Sequence, residues 1–328
     1  MMAFAARGYG GPEVMEIAAL PDPVPGPGEV VVDVHAASVN PLDWMLRNGY
    51  FRPRAGKEFP RVFGADFAGR VMSVGEGVEG FTPGLPVYGD ASPLDGDQGA
   101  HAERLVVPAS RVHPIPQGLS FEQAAALPTA ALTVLDGFWR CGSVHGKRVL
   151  VNGACTGVGH FAVQIASARG ARVTAVCSES QAEGALALGA ADVIDQDHED
   201  FTRWKQRYDV VFDAQGGVEF EAAARVIARG GHFVTTLPIQ PVGLLARLRR
   251  FLGGPKVIVA VPRGRAEDYA VLARLVAAGR VRPVLANVFP LERAQEAFAA
   301  QESGRAVGKV VIRVGEPDVP RPRLQRLQ

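Results

Sequence analysis

Three glycines in one turn carry the clearest chemical signal in the chain. Gly153, Gly157 and Gly159 lie in RVLVNGACTGVGHFAVQIASARGARVTAVCS, residues 148–178. Absent side chains let an anion approach the backbone, and the start of a helix offers unpaired N–H groups and a positive dipole end. The flanks fit that use. Arg148 to Val151 is a run of β-formers. Val158, Phe161, Ala162, Ile165 and Ala166 then recur at i, i+3, i+4, i+7 and i+8, the apolar stripe of a helix. Gly170 is placed to stop it, and Arg172 to Cys177 reads as a second strand. Strand, glycine turn, helix and a strand ending about 20 residues on form the unit on which a dinucleotide pyrophosphate docks. The plainer use of the same glycines is close packing of an ordinary βα turn. The spacing Gly-x-x-Gly-x-x-Gly asks for glycine at Thr156, where the turn carries Cys155 and Thr156 instead. The Thr156 side chain either crowds the phosphates or donates its hydroxyl to them.

Other reacting groups are fewer. A catalytic zinc needs three cysteine, histidine or carboxylate ligands and an open position. No cysteine precedes Cys141, and the seven histidines show no paired metal spacing. None of the five tyrosines has a lysine four residues later, which excludes the Tyr-x-x-x-Lys device of short-chain reductases. Asn40 stands before Pro41 in an otherwise apolar segment. It can donate to a substrate or cofactor oxygen, or simply turn the chain before proline.

The elements that must position these groups change in texture along the chain. Residues 1–115 are rich in β-formers, glycine and proline, with strands expected at Glu29 to Ala36, Asp66 to Val74, Pro86 to Tyr88 and His101 to Val107. Ser120 with Gln123 forms a capping box, and Phe121 to Trp139 reads as helix interrupted at Pro128. From Arg148 strands and helices alternate. Helices are expected at Ala182 to Leu188, Val218 to Arg229, Ala266 to Ala278 and Leu291 to Gln301. Strands are expected at Asp192 to Asp195, Asp209 to Asp213, His232 to Thr236 and Lys256 to Val261. The alternation predicts an α/β class with a doubly wound parallel sheet. Residues 242–254 mix leucines with Arg247, Arg249 and Arg250 and read as a surface helix or flap. The tail from Glu316 reads as disordered.

With 328 residues the chain is long enough for two domains, and a net charge of +1 argues against a polyanion partner such as nucleic acid. Three cysteines without a C-x-x-C pair point to a reducing cytoplasm. No signal peptide and no membrane-spanning run is expected.

SVNPLDWMLRNG at 38–49, GADFAGRVMSVGEGVEGF at 64–81, AAALPTAALT at 124–133, NGACTGVGHFAVQIA at 152–166 and GKVVI at 308–312 together carry a resemblance that covers nearly the whole chain. It resembles the medium-chain dehydrogenase/reductases, within them the zinc-independent quinone oxidoreductase branch. The resemblance implies a GroES-like domain from residues 1–124 with 265–328, of which 315–328 is tail. It implies a Rossmann domain from 125–264, a cleft between the two, and a homodimer built by joining sheet edges. It implies NADPH, with NADH as the alternative, and a quinone or the C=C bond of an α,β-unsaturated carbonyl as acceptor. Where zinc-dependent relatives carry a cysteine and Gly-His-Glu, this chain has Asn40 and Gly64-Ala65-Asp66.

The candidate catalytic residue is therefore Asn40, and the candidate cofactor-binding residues are Pro128, Thr129, Thr133, Cys155, Thr156, Gly157, Val158, Ser178 and Gln196. No metal ligand is expected. Cys177, followed by Ser178, occupies the place of the acid that binds an NAD ribose, which favours NADPH. Glu179 and the absence of a basic residue near Gln181 or a tyrosine at Gln196 count the other way. Trp44, Tyr50, Phe51 and residues 237–254 are candidate walls of the cleft. A nucleotide-binding protein without turnover and a zinc-type alcohol dehydrogenase are the alternatives.

Overall fold

Valines at every second position make the longest strand of the chain. The computed structural model describes residues 1–236 and 254–315. Its first eight strands are β1 (Met2–Ala6), β2 (Met15–Ala19), β3 (Glu29–Val39), β4 (Arg61–Val62), β5 (Asp66–Val74), β6 (Pro86–Asp90), β7 (Arg104–Pro108) and β8 (Val112–Pro114). In β3, Val30, Val32 and Val34 are buried with Phe67, Val71, Leu105 and Val107 in one apolar cluster. Burial of such side chains stabilises by about 25 cal/mol per Å² of apolar surface, which fixes the register of this sheet.

Strands β9 (Arg148–Asn152), β10 (Arg172–Cys177), β11 (Asp192–Asp195), β12 (Tyr208–Asp213), β13 (Ile227–Thr235) and β14 (Lys256–Val259) form a second, all-parallel sheet in the order β11-β10-β9-β12-β13-β14. Every pairing between them is parallel. The order reverses between β9 and β12, and a doubly wound sheet opens a crevice at such a reversal, beyond the carboxyl ends of the strands. The Asn152 amide donates to Asp213 Oδ1 at 2.8 Å across that point.

The last strands, β15 (Leu285–Pro290) and β16 (Lys309–Arg313), return to the first part. The resulting sheet runs β15-β16-β3-β5-β6-β8, with β7 also on β3. Antiparallel pairing sets Val310 against Val39 and Ser38 against Asp66. One end of this sheet therefore gathers Ser38, Asn40, Asp66 and Lys309 from three segments of the chain. The helix Ala266–Ala277 buries Tyr269, Leu272 and Val276 in the core shared with the helix Pro128–Cys141 and the parallel sheet.

The expected helix from Val218 to Arg229 is a correction. Only Phe220–Ala223 is helical, and β13 begins at Ile227. Tyr208 of β12 pairs with Ile227, so the sheet ladder claims residues whose alanine-rich composition favours a helix. The expectations for residues 237–253 and for the tail from Glu316 lie outside the described residues. Among the described residues no helix is long and apolar enough to cross a membrane.

Candidate active site

The glycine turn ends β9, and the helix Gly159–Ala168 follows it. A Cβ on Gly159 would stand 1.9 Å from Gly153 O, so the tight turn requires glycine there. Thr156 resolves the choice its position left open. Its hydroxyl donates to Gly153 O at 2.9 Å and accepts from Gly159 N at 3.1 Å, capping the helix rather than pointing outward. Among the described residues the N–H groups of Gly157 and Val158 make no hydrogen bond. Half-buried beside the helix start, they are free donors of the turn.

Those two residues and Thr156 line one cleft with Asn40, Trp44, Gln215 and Lys309. The turn is tied to the first sheet at this place, because Gly308 N donates to Cys155 O at 2.8 Å. A Cβ on Gly157 would meet the Lys309 stem at 3.3 Å, so the small residue also lets β16 approach. His160 adds a second tie. Its Nε2 accepts from Val284 N at 3.2 Å, so its Nδ1 carries the hydrogen and donates to Thr156 O at 3.0 Å. Burial holds the His160 ring down at a pKa of about 4, hence neutral.

The floor of the cleft is a buried polar cluster. Asp66 accepts from Ser38 Oγ at 2.6 Å and Asn40 Nδ2 at 2.9 Å on one oxygen. Its other oxygen accepts from Thr129 N at 2.8 Å and Thr129 Oγ1 at 2.6 Å. Lys309 Nζ donates to Asn40 Oδ1 at 2.5 Å and lies 3.6 Å from Asp66 Oδ2. Burial lowers the Lys309 pKa, against the opposing pull of Asp66 and Asp43. Asp43 accepts from Asn40 N and Gly64 N, at 2.7 and 3.1 Å, and burial raises its carboxyl to about 7. His101, held down at about 4 by burial, sets Nε2 3.3 Å from Ser38 O.

Two family models match the chain: the alcohol dehydrogenase GroES-like domain over residues 26–117 and a zinc-binding dehydrogenase over 188–312. The human mitochondrial NAD(P)H oxidoreductase RTN4IP1 is 35% identical, over 88% of this chain and 82% of that one. The 2-methylene-furan-3-one reductase of Solanum lycopersicum is 34% identical, over 95% of this chain and 79% of that one. The solved quinone oxidoreductase from Coxiella burnetii superposes with a TM-score of 0.87 at 28% identity, covering 96% of this chain and 99% of that one. The chain belongs to the medium-chain dehydrogenase/reductases, in their quinone oxidoreductase-like branch.

Members of this branch are oxidoreductases that use a nicotinamide dinucleotide, and the residues present fit that group. The glycine cradle and the free N–H groups of Gly157 and Val158 suit a pyrophosphate. Of the sequence candidates, Asn40, Thr156, Gly157 and Val158 meet in the cleft. Thr129 reaches it only through Asp66, and Pro128 is buried at the first turn of its helix. The Thr133 hydroxyl donates back to Thr129 O at 2.7 Å, which spends its hydrogen within the helix.

Cys155 and Cys177 face inward as free, buried thiols. The Cys155 thiol donates to Gln181 O at 3.8 Å, and the two neighbouring thiols act on each other, lowering the pKa of Cys155 and raising that of Cys177. Gln196 lies apart, in a depression at the ends of β9, β10 and β11 with Asp197, His198 and Glu199. The Ser178 hydroxyl is 3.1 Å from that of Ser180. Of the candidate walls among the described residues only Trp44 lines the cleft; Tyr50 stands edge-on to Trp44 and is exposed, and Phe51 packs on a core cluster.

Sequence reading missed Asp66 and Lys309 as site residues. Both stand in the quoted motifs GADFAG and GKVVI. An isolated charged residue opening an apolar strand was the available signal.

Proposed function

We propose that the chain is an NADPH-dependent reductase that works without zinc and delivers hydride to a quinone or to the C=C bond of an α,β-unsaturated carbonyl. The observation that carries this reading is that the free N–H groups of Gly157 and Val158 and the amide of Asn40 line one cleft. When bound, the dinucleotide supplies the hydride. The turn holds its phosphates. Asn40 donates from Nδ2 toward an acceptor oxygen that gains negative charge, and solvent returns the proton.

The donors at the floor do not suit zinc. They are an amide, a carboxylate already accepting four hydrogen bonds, and an ammonium. Among the described residues no group of three or more His, Cys, Asp or Glu is placed to hold a metal ion.

The same reading divides the chain near residues 124 and 265. It pairs two copies edge to edge through β14, which ends the parallel sheet, and it keeps the three buried thiols in a reducing cytoplasm. Purified, chelator-treated protein is mixed with NADPH and then with menadione or crotonaldehyde, and NADPH absorbance is followed. Oxidation at an unchanged rate is expected. Cofactor binding without oxidation by either acceptor, or activity that returns only with added zinc, overturns the reading. Elution as a monomer on size exclusion removes the edge-to-edge pairing.

A further inference from the structure

The amide of Asn40 has only one possible orientation. Lys309 Nζ carries hydrogens and no lone pair, so the atom it meets at 2.5 Å must be Oδ1. The Asp66 oxygen 2.9 Å away, already accepting from Ser38, must therefore face Nδ2. Lys309, Asn40 and Asp66 form a chain in which each link fixes the next, and one Nδ2 hydrogen is left without a partner among the described residues. The ammonium is almost wholly enclosed, with 4% of its side chain exposed, and Val39 O at 3.5 Å is its other acceptor. The register of Val310 against Val39 places it there, so its position is set by the sheet rather than by a flexible stem alone. The titratable groups around it are Asp66 on β5, Asp43 on the helix Pro41–Arg47 and neutral His160 on the helix Gly159–Ala168.

We propose that Lys309, acting through Asn40, is the fixed positive charge that steadies the acceptor oxygen as it becomes negative, and is thus a positioning residue for the reduction. This rests on the reductase reading above. With an enone, hydride forms a C–H bond at the β-carbon while the C=C pair shifts and the carbonyl oxygen takes the charge. Water then protonates the α-carbon, so the acceptor gains two electrons and the nicotinamide is oxidised. An ammonium hydrogen-bonded to Oδ1 draws electron density from the amide and makes the free Nδ2–H a stronger donor.

The test compares the unaltered protein with Lys309→Met, which keeps the stem without charge, and Lys309→Gln, which keeps a donor without charge. Three quantities are measured: NADPH affinity by fluorescence, kcat and KM separately with crotonaldehyde, and the ionisation of bound para-nitrophenol with oxidised cofactor present, read from its phenolate band. The expected result for both variants is a kcat lowered by about a hundredfold with NADPH affinity unchanged. In the unaltered protein alone, the bound phenol ionises about one pH unit or more below its free value.

Unchanged kcat and unchanged phenol ionisation in Lys309→Met overturn the inference, as does full activity in Lys309→Gln. NADPH affinity falling in step with kcat also overturns it, making Lys309 a cofactor anchor. If Lys309→Met does not fold, Lys309→Gln alone is decisive. Unaltered protein that binds NADPH but reduces no acceptor removes the reductase reading, and this inference with it. That outcome is distinct from one in which only the variants match the unaltered rate.

Discussion

Thr129 gives both its backbone N–H and its hydroxyl to one oxygen of Asp66, at 2.8 and 2.6 Å. This pair joins the helix Pro128–Cys141 to the sheet that carries the floor of the cleft. Hydrogen bonds to a charged acceptor contribute about 1.5–3 kcal/mol each, and a buried carboxylate left short of donors costs more. Thr129→Val is expected to lose about 2 kcal/mol in urea unfolding, and Thr129→Ser to lose little. A valine variant as stable as the parent would show that the contact adds nothing.

Thr156 caps a helix in this chain rather than blocking a pocket. Thr156→Gly should lower stability by roughly a few tenths of a kcal/mol, and Thr156→Ser should retain it. NADPH affinity should not improve in the glycine variant. Several-fold tighter binding in a titration would mean that the side chain obstructs the phosphates after all.

Cofactor preference is expected to be shallow. The Ser178 hydroxyl can donate to a 2′-phosphate, while Glu179 beside it and Asp195 at the end of β11 repel one. Glu179→Lys should raise the ratio of kcat/KM for NADPH over NADH by about tenfold, the equivalent of 1.4 kcal/mol. An unchanged ratio would place the 2′ position elsewhere.

Acid should loosen the fold in a predictable way. Burial holds His101 and His160 at about 4 in the folded chain, below the ordinary 6.5. Their neutral burial contributes stability that is present above 6.5 and lost as pH falls toward 4. Asp43 works in the opposite sense. Its folded value of about 7 lies above 3.8, so its folded form holds a proton through the same window. Two protons favour the unfolded state and one favours the folded state. Among these three groups the net is about 1.4 kcal/mol lost per pH unit. Asp43→Asn should steepen that loss by a similar amount between pH 6.5 and 4.5, read from urea midpoints at several pH values. Parallel curves for parent and variant would refute the raised Asp43 pKa.

Much of this architecture was legible because it is local. The stripe from Val158 to Ala166, the Ser120 capping box and the alternation in β3 are patterns a few residues wide, and each matches an element. The capping box is complete, with Ser120 N donating to Gln123 Oε1 and Gln123 N to Ser120 Oγ. The span after Val218 misled because its alanines favour a helix while pairing with Tyr208 draws the chain into a strand. The cleft floor was legible only in part. Asn40 was found from its own neighbours, but the value of Lys309 lies in a register 270 residues away, and no window on the sequence contains both. Thr133 shows the converse. It is a candidate cofactor contact, yet its hydroxyl is consumed four residues back along its own helix.

Pairing of β16 with β3 also bears on how the protein is made. A ribosome has delivered every strand of the parallel sheet by Val259, yet the exposed side of β3 still awaits its neighbour. The reaction chamber thus closes late in synthesis, when the segment bearing Lys309 emerges. Until then a nascent chain can hold a nucleotide-binding half beside a floor that still lacks Lys309.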